Sequence, residues 1–243
     1  MQYLHLSAFY FHVALGSIAL ILFWIPIATK KGAQQHIKFG KWYSYCMYAI
    51  SLLGMFMTLL VLIDPFGVKA EEAARYSSPE QFVASAQRLS IFLLFLSVLT
   101  FASIHQGMRV VKFKRAHHEL RKPLHLLPLL MLLVLSVVLT VLAIKNSILL
   151  HGIFGVLGLF ISIGMLKYCF GRPASPKAYI AEHLGGMIGS GIGAYTAFLA
   201  FGGRVMFSEM GQYQILFWIA PGIIGGTAIS LLARKYKGNK ASS

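Results

Sequence analysis

The sequence is short of charge, and above all of acid. Only 12% of its 243 residues are charged and only seven are Asp or Glu, where a soluble domain carries about 25% charged residues. Asp64, Glu182 and Glu209 each fall at the end of an apolar run. That scarcity argues against a proton pump or cation transporter built on buried carboxylates, because such groups are costly in a membrane and are kept there for function. The last apolar run has no lysine before Arg234, which leaves a retinal Schiff base without its amine. No His-x-x-x-His pair occurs and no buried Asp accompanies one, so the ligand set of a membrane zinc hydrolase is missing. The two cysteines, Cys46 and Cys169, form no Cys-x-x-Cys or zinc-ribbon spacing. Both are expected near the cytoplasmic side, where thiols stay reduced and no disulfide forms.

What the sequence has instead is apolar length. Hydrophobic residues make up 57% of the chain, and they come in blocks. A hydrocarbon core takes about 20 helical residues to cross. Seven blocks meet that length, near residues 6–28, 43–63, 89–110, 124–144, 147–167, 183–203 and 214–233. A lone segment in lipid must satisfy its own backbone hydrogen bonds, which selects helices. The expected fold is therefore all-α: a polytopic bundle of seven transmembrane helices in a single domain. The first block is too long for a signal-peptide core and lacks a positive leader, so it is read as a retained span.

The formal charge of +15 is distributed, and its distribution sets the expected topology. Lys30, Lys31, Lys38 and Lys41 follow the first span. Arg109, Lys112, Lys114, Arg115, Arg121 and Lys122 follow the third, and Lys167, Arg172 and Lys177 the fifth. Arg234, Lys235, Lys237 and Lys240 follow the seventh. Seven crossings put all of these, 17 of the 22 Lys and Arg, on one face. The positive-inside rule makes that face cytoplasmic, with the N-terminus outside and the C-terminus in the cytoplasm. A multi-pass membrane protein, with anionic lipid headgroups against its basic face, is the expected setting. No basic helix with interleaved aromatics stands free of the membrane, so nucleic acid is not an expected partner.

Punctuation between the spans is clear. Asp64-Pro-Phe-Gly67 reads as a turn, with a short interfacial helix over Ala70 to Tyr76. Ser78-Pro79-Glu80-Gln81 carries a capping-box signature, so the third helix is expected to begin near residue 79. Pro123 suits the first turn of the fourth. Lys145-Asn-Ser147 is a tight turn, Gly171-Arg-Pro173 ends the fifth helix, and Ser175-Pro176 reads as the N-cap and first residue of the sixth.

With acids scarce, the histidines hold the remaining chemistry. His12 and His151 are expected one to two turns below the outer surface, and His105 and His183 one to two turns from the inner one. His36 and His125 mark the inner edge. An inner group and an outer pair on different helices suit axial ligation of b-type haem, or a quinone site. His12, His36 and His151 are each followed four residues later by glycine: Gly16, Gly40 and Gly155. Such glycines clear space for a planar ring, or simply let helices approach. Each histidine also has a plainer reading, a hydrogen bond to a neighbouring carbonyl. The sixth span carries Gly185, Gly189, Gly193 and Ala197 in one small-residue row, with Gly186, Ser190 and Ala194 in a second. This groove is expected to receive the seventh helix, with its Gly222 and Gly226, or a ligand near His183.

Several of these elements resemble a known family. His12-Val-Ala-Leu-Gly16, then His36-Ile-Lys-Phe-Gly40-Lys-Trp-Tyr43, is similar to the opening of the uncharacterised bacterial membrane family called domain of unknown function 2306. Glu182-His183 through Thr196-Ala197-Phe198 resembles its sixth helix, and Trp218-Ile-Ala-Pro221-Gly-Ile-Ile-Gly225 its seventh. The resemblance implies a seven-helix architecture and a focus on His12, His36 and His183, and no reaction.

Two functional readings follow. One is a redox protein with a haem b or quinone site drawn from His12, His36, His105, His151 and His183, and with Glu182 assisting proton movement at the inner mouth. The other is a carrier, in which the glycine face of the sixth helix and the Pro221-Gly222 break permit rocking around a small polar or lipid-like solute. An accessory subunit of a membrane complex, or a homo-oligomer, is the plainer alternative to both.

Overall fold

The computed structural model describes residues 1–203 and 213–236. Every regular element among them is helical. In chain order they are α1 (Gln2–Ala28), α2 (Gln34–Ile63), the short α3 (Pro65–Ala73), α4 (Pro79–Lys112), a 3-10 turn (His117–Arg121), α5 (Pro123–Asn146), α6 (Leu149–Phe170), α7 (Ala178–Ala197), α8 (Ile215–Ala233) and a closing 3-10 turn (Arg234–Tyr236). α7 continues as a π-helical stretch over Phe198–Gly203. Seven helices, all but α3, are long and apolar enough to cross a membrane. Arg204, Glu209, Lys237 and Lys240 lie outside the described residues.

The helices overrun their apolar blocks. α2 begins at Gln34 rather than near 43, taking His36, Lys38 and Lys41 into its first turns. α4 begins at Pro79, as the capping signature implied, and Ser78 Oγ accepts from the Gln81 amide at 3.3 Å. Hydropathy marks only the part of a helix that suits hydrocarbon, whereas Gln, Lys and Glu propagate a helix well outside it. The segment from Asp64 to Gly67 is a helix cap: Asp64 Oδ1 accepts the Gly67 amide at 2.8 Å, with Pro65 as the first helical residue. α3 therefore runs from Pro65 to Ala73 and not over 70–76. Ser175 is not the cap of α7. Its hydroxyl donates to the Tyr236 carbonyl at 2.9 Å, and Lys177 stands at the N-cap.

The chain divides into two compact units, residues 1–99 with 131–160, and 100–130 with 161–243. In the first, α1 packs along α2. Their connection is tied at one carbonyl: Pro26 accepts from Lys31 Nζ at 2.9 Å, His36 Nδ1 at 3.0 Å and Thr29 Oγ1 at 3.3 Å. These donors satisfy the end of α1, where carbonyls have no helical partner. α5 and α6 also approach closely here. A Cβ on Gly155 would lie 2.9 Å from the Thr140 amide nitrogen, and one on Gly158 2.6 Å from the Phe95 ring.

In the second unit the groove of α7 is filled by α4, not by the last helix. A Cβ on Gly186 would lie 2.5 Å from the Ser103 carbonyl and 2.7 Å from Cα of Gly107, while Gly193 faces Thr100 and Gly189 faces Ser103. α8 packs on a different face, with Gly225 against Ile188 and Ile192; a methyl on Gly222 or Gly226 would meet nothing within 4 Å. The backbones of α4 and α7 touch because neither side brings a Cβ, the small-residue approach typical of membrane helices. Gly186→Ala should therefore cost roughly 1–3 kcal/mol of stability through overpacking. Gly185→Ala, which adds its methyl to open space, should leave the thermal unfolding midpoint in detergent unchanged. Equal midpoints for the two variants would show that the groove is not closed by α4.

Candidate functional site

The close approach of α4 and α7 gathers polar side chains inside the second unit. His125 and Cys169 are 0% exposed and Gln106 is 1% exposed. Gln106 sits on α4, His125 in the first turn of α5, Cys169 near the end of α6 and Glu182 on α7. The Gln106 amide donates from Nε2 to Glu182 Oε2 at 3.5 Å, and its Oε1 accepts from His125 Nε2 at 2.9 Å. Cys169 Sγ lies 3.5 Å from His125 Nε2 and 3.8 Å from Gln106 Oε1.

This chain has a direction. A carboxylate only accepts hydrogen bonds, so the Gln106 NH2 points to Glu182 and its oxygen to His125. The neutral His125 ring must then carry its proton on Nε2. Its Nδ1 is left with a lone pair, buried and with no partner among the described residues. An orphaned buried polar atom costs about 1–3 kcal/mol.

Neighbouring groups frame that nitrogen. The His105 ring stacks on His125 at 5.1 Å and 28°, and on Phe101 at 5.8 Å and 14°. Arg109, one helical turn beyond His105, lays its guanidinium 4.5 Å from the Phe113 ring centre, with Nε buried and unpartnered among the described residues. Around them lies an apolar cluster that includes Val110, Leu120, Leu129 and Met165. His183 Nδ1 donates to the Gly107 carbonyl at 2.8 Å.

The loop before α5 fixes Cys169. Arg121 donates to the Cys169 carbonyl at 3.1 Å and to the Phe170 carbonyl at 3.2 Å, and His117 Nε2 donates to the Tyr168 carbonyl at 2.9 Å. Cations are favoured at a helix C-terminus, where the last carbonyls are unpaired. Beside them Glu119 accepts from Lys122 at 2.8 Å. That hydrogen bond, with the nearby cations, holds its carboxyl below the ordinary glutamate value.

The other candidate histidines are placed differently. His12 and His151 belong to the first unit. His151 is buried and stacks on Phe92 at 5.1 Å and 19°. His12 reaches the Ile50 backbone, beside Gly54 and Ser97. His36 caps α1 through Pro26, the plain structural reading. The space expected beneath His151 is taken by Thr140 against Gly155, and a methyl on Gly40 would touch Pro26 at 4.0 Å; of the three glycines that follow a histidine, only Gly16 faces open space.

Of the inner pair expected to hold a haem, His105 lies flat against His125 and His183 has its Nδ1 on the Gly107 carbonyl. No cluster of three or more metal-ligating side chains occurs among the described residues. What the group offers is an open hydrogen-bond acceptor at His125 Nδ1, on a ring that Gln106 links to Glu182. His105 and His183 thus lie in or beside the site, but Gln106, Arg109 and Cys169 were missed in the sequence, and His125 was assigned only to the inner edge. The available signal was Gln106 itself, an uncharged polar side chain within an apolar run.

Cys169, sealed beneath Gln106, should resist maleimide in the folded protein and react on denaturation. Gln106→Ala should speed its native-state labelling at least tenfold, read by mass spectrometry; unchanged protection would show that Gln106 does not cover the thiol. In comparisons with known proteins, no family model, no curated protein and no solved structure matches this chain.

Proposed function

We propose that the chain is a seven-span protein of the bacterial inner membrane that binds a quinol through His125 and takes up its hydroxyl proton. The observation that carries this reading is the oriented chain Glu182–Gln106–His125, which ends in a buried lone pair with no partner among the described residues. A phenolic O–H is the complement of that nitrogen. On proton transfer the O–H bond breaks, an Nδ1–H bond forms, and the imidazolium is stabilised by the Gln106 oxygen and, beyond it, by the Glu182 carboxylate. The apolar side chains around the site suit a lipid-soluble ring. The motif resemblance to domain of unknown function 2306 supports a place in that family and rests on the residues quoted for it.

The test is organic extraction of the protein purified in mild detergent from quinone-rich membranes, followed by chromatography. Wild type should yield quinone near one per chain. His125→Leu should lose it at least tenfold, while His36→Gln, which alters only the end of α1, should retain it. Absence of quinone from the wild type would sink the reading. A dithionite-reduced haem α-band abolished by His183→Ala would replace it with the haem alternative.

The 17 basic residues on one face support an orientation with the N-terminus outside and the C-terminus in the cytoplasm. In intact cells Lys145→Cys should react with a membrane-impermeant maleimide, and Lys114→Cys only after permeabilisation. The opposite pattern would invert the topology.

A further inference from the structure

α2 presents an exposed groove of about 590 Å³ lined by Gln34, Ile37, Lys38, Lys41, Trp42 and Tyr45. All six are exposed, and all lie in its first turns. We propose that this groove binds the headgroup and upper acyl chains of an anionic phospholipid.

Three observations support a lipid of that charge. First, the lysines are uncompensated: no residue from 1 to 63 is acidic. Second, the Lys38 ammonium rests 5.2 Å from the Trp42 ring centre. A ring face holds a cation in place without neutralising it, so the charge stays available to a phosphate. Third, Ile37 and Trp42, 49% and 50% exposed, border the lysines on the apolar side. Trp and Tyr in this setting are interfacial anchors. A free phosphate would use the lysines and leave the apolar border bare. A phospholipid uses both, with its phosphate on the lysines and its acyl chains along the apolar border. A zwitterionic lipid carries the same phosphate, but its ammonium is repelled by the second lysine. The inference is independent of the quinol reading.

Native mass spectrometry of the full chain released from nanodiscs tests it, with phosphatidylglycerol and phosphatidylcholine of matched acyl chains as probes. Wild type should retain phosphatidylglycerol at least tenfold better, since each surface lysine contributes measurably to anionic-lipid attraction. The double variant Lys38→Gln/Lys41→Gln should bring the two lipids to parity. Lys112→Gln/Lys114→Gln, the same change of charge on α4 and its following loop, should keep the preference. Glycerol phosphate at matched concentration should not displace the bound lipid. No preference in the wild type, equal loss in both double variants, or displacement by glycerol phosphate would each overturn the proposal.

Discussion

The contact between Gly186 and Gly107 decides where everything else in the second unit can be. A methyl on Gly186 would sit inside the backbone of α4, so the two helices meet as bare main chain. One turn before that contact, His183 finds the Gly107 carbonyl, and Glu182 comes within reach of Gln106. Wider separation by a single methyl diameter would open the Gln106–Glu182 bond, already 3.5 Å long, beyond hydrogen-bonding range. The small residues of α7 are thus a means of bringing a carboxyl to a glutamine, and the polar chain is a consequence of their packing.

That chain is unusual for its surroundings in one respect. Several hydroxyls in the spans return their proton to a carbonyl one turn back: Ser44 to Gly40, Ser51 to Met47, Ser136 to Leu132, Thr140 to Ser136. These are self-contained solutions to burial in lipid. Gln106 and His125 bond side chain to side chain across helices, and one nitrogen is left over. An apolar pair of similar volume would fill the same space at little loss of stability.

Much of the fold was legible because hydrocarbon imposes a length and a composition that write themselves into the chain, as from Leu124 to Ile144. Helix ends were less legible. Gln34 to Trp42 is helical through ordinary propensity, and hydropathy has no view of it. The partner of the α7 groove was misread for a definite reason. Spacing shows that Gly186, Gly189 and Gly193 make a flat face but not which helix lies on it, and the answering row on α4, Thr100, Ser103 and Gly107, holds a single glycine. The site was half legible. A search for titratable groups found His105 and His183; Gln106 does not titrate, and its role depends on three residues brought from α5, α6 and α7.

The hairpin of α1 and α2 has a further consequence, through its acid-free loop. Lys30, Lys31, Lys38 and Lys41 are all of one sign. Moving a charge across a membrane potential costs about 2.3 kcal/mol per ~100 mV. With this loop on the cytoplasmic face, as proposed, an energised membrane acts on it as a one-way latch, and no carboxylate within the hairpin offsets the pull. Lys31 and His36 both bind Pro26, so the force on the loop is delivered to the end of α1 as well as to α2. In that proposed orientation the membrane potential favours a common depth for the two helices, and the bias falls when the cell is de-energised.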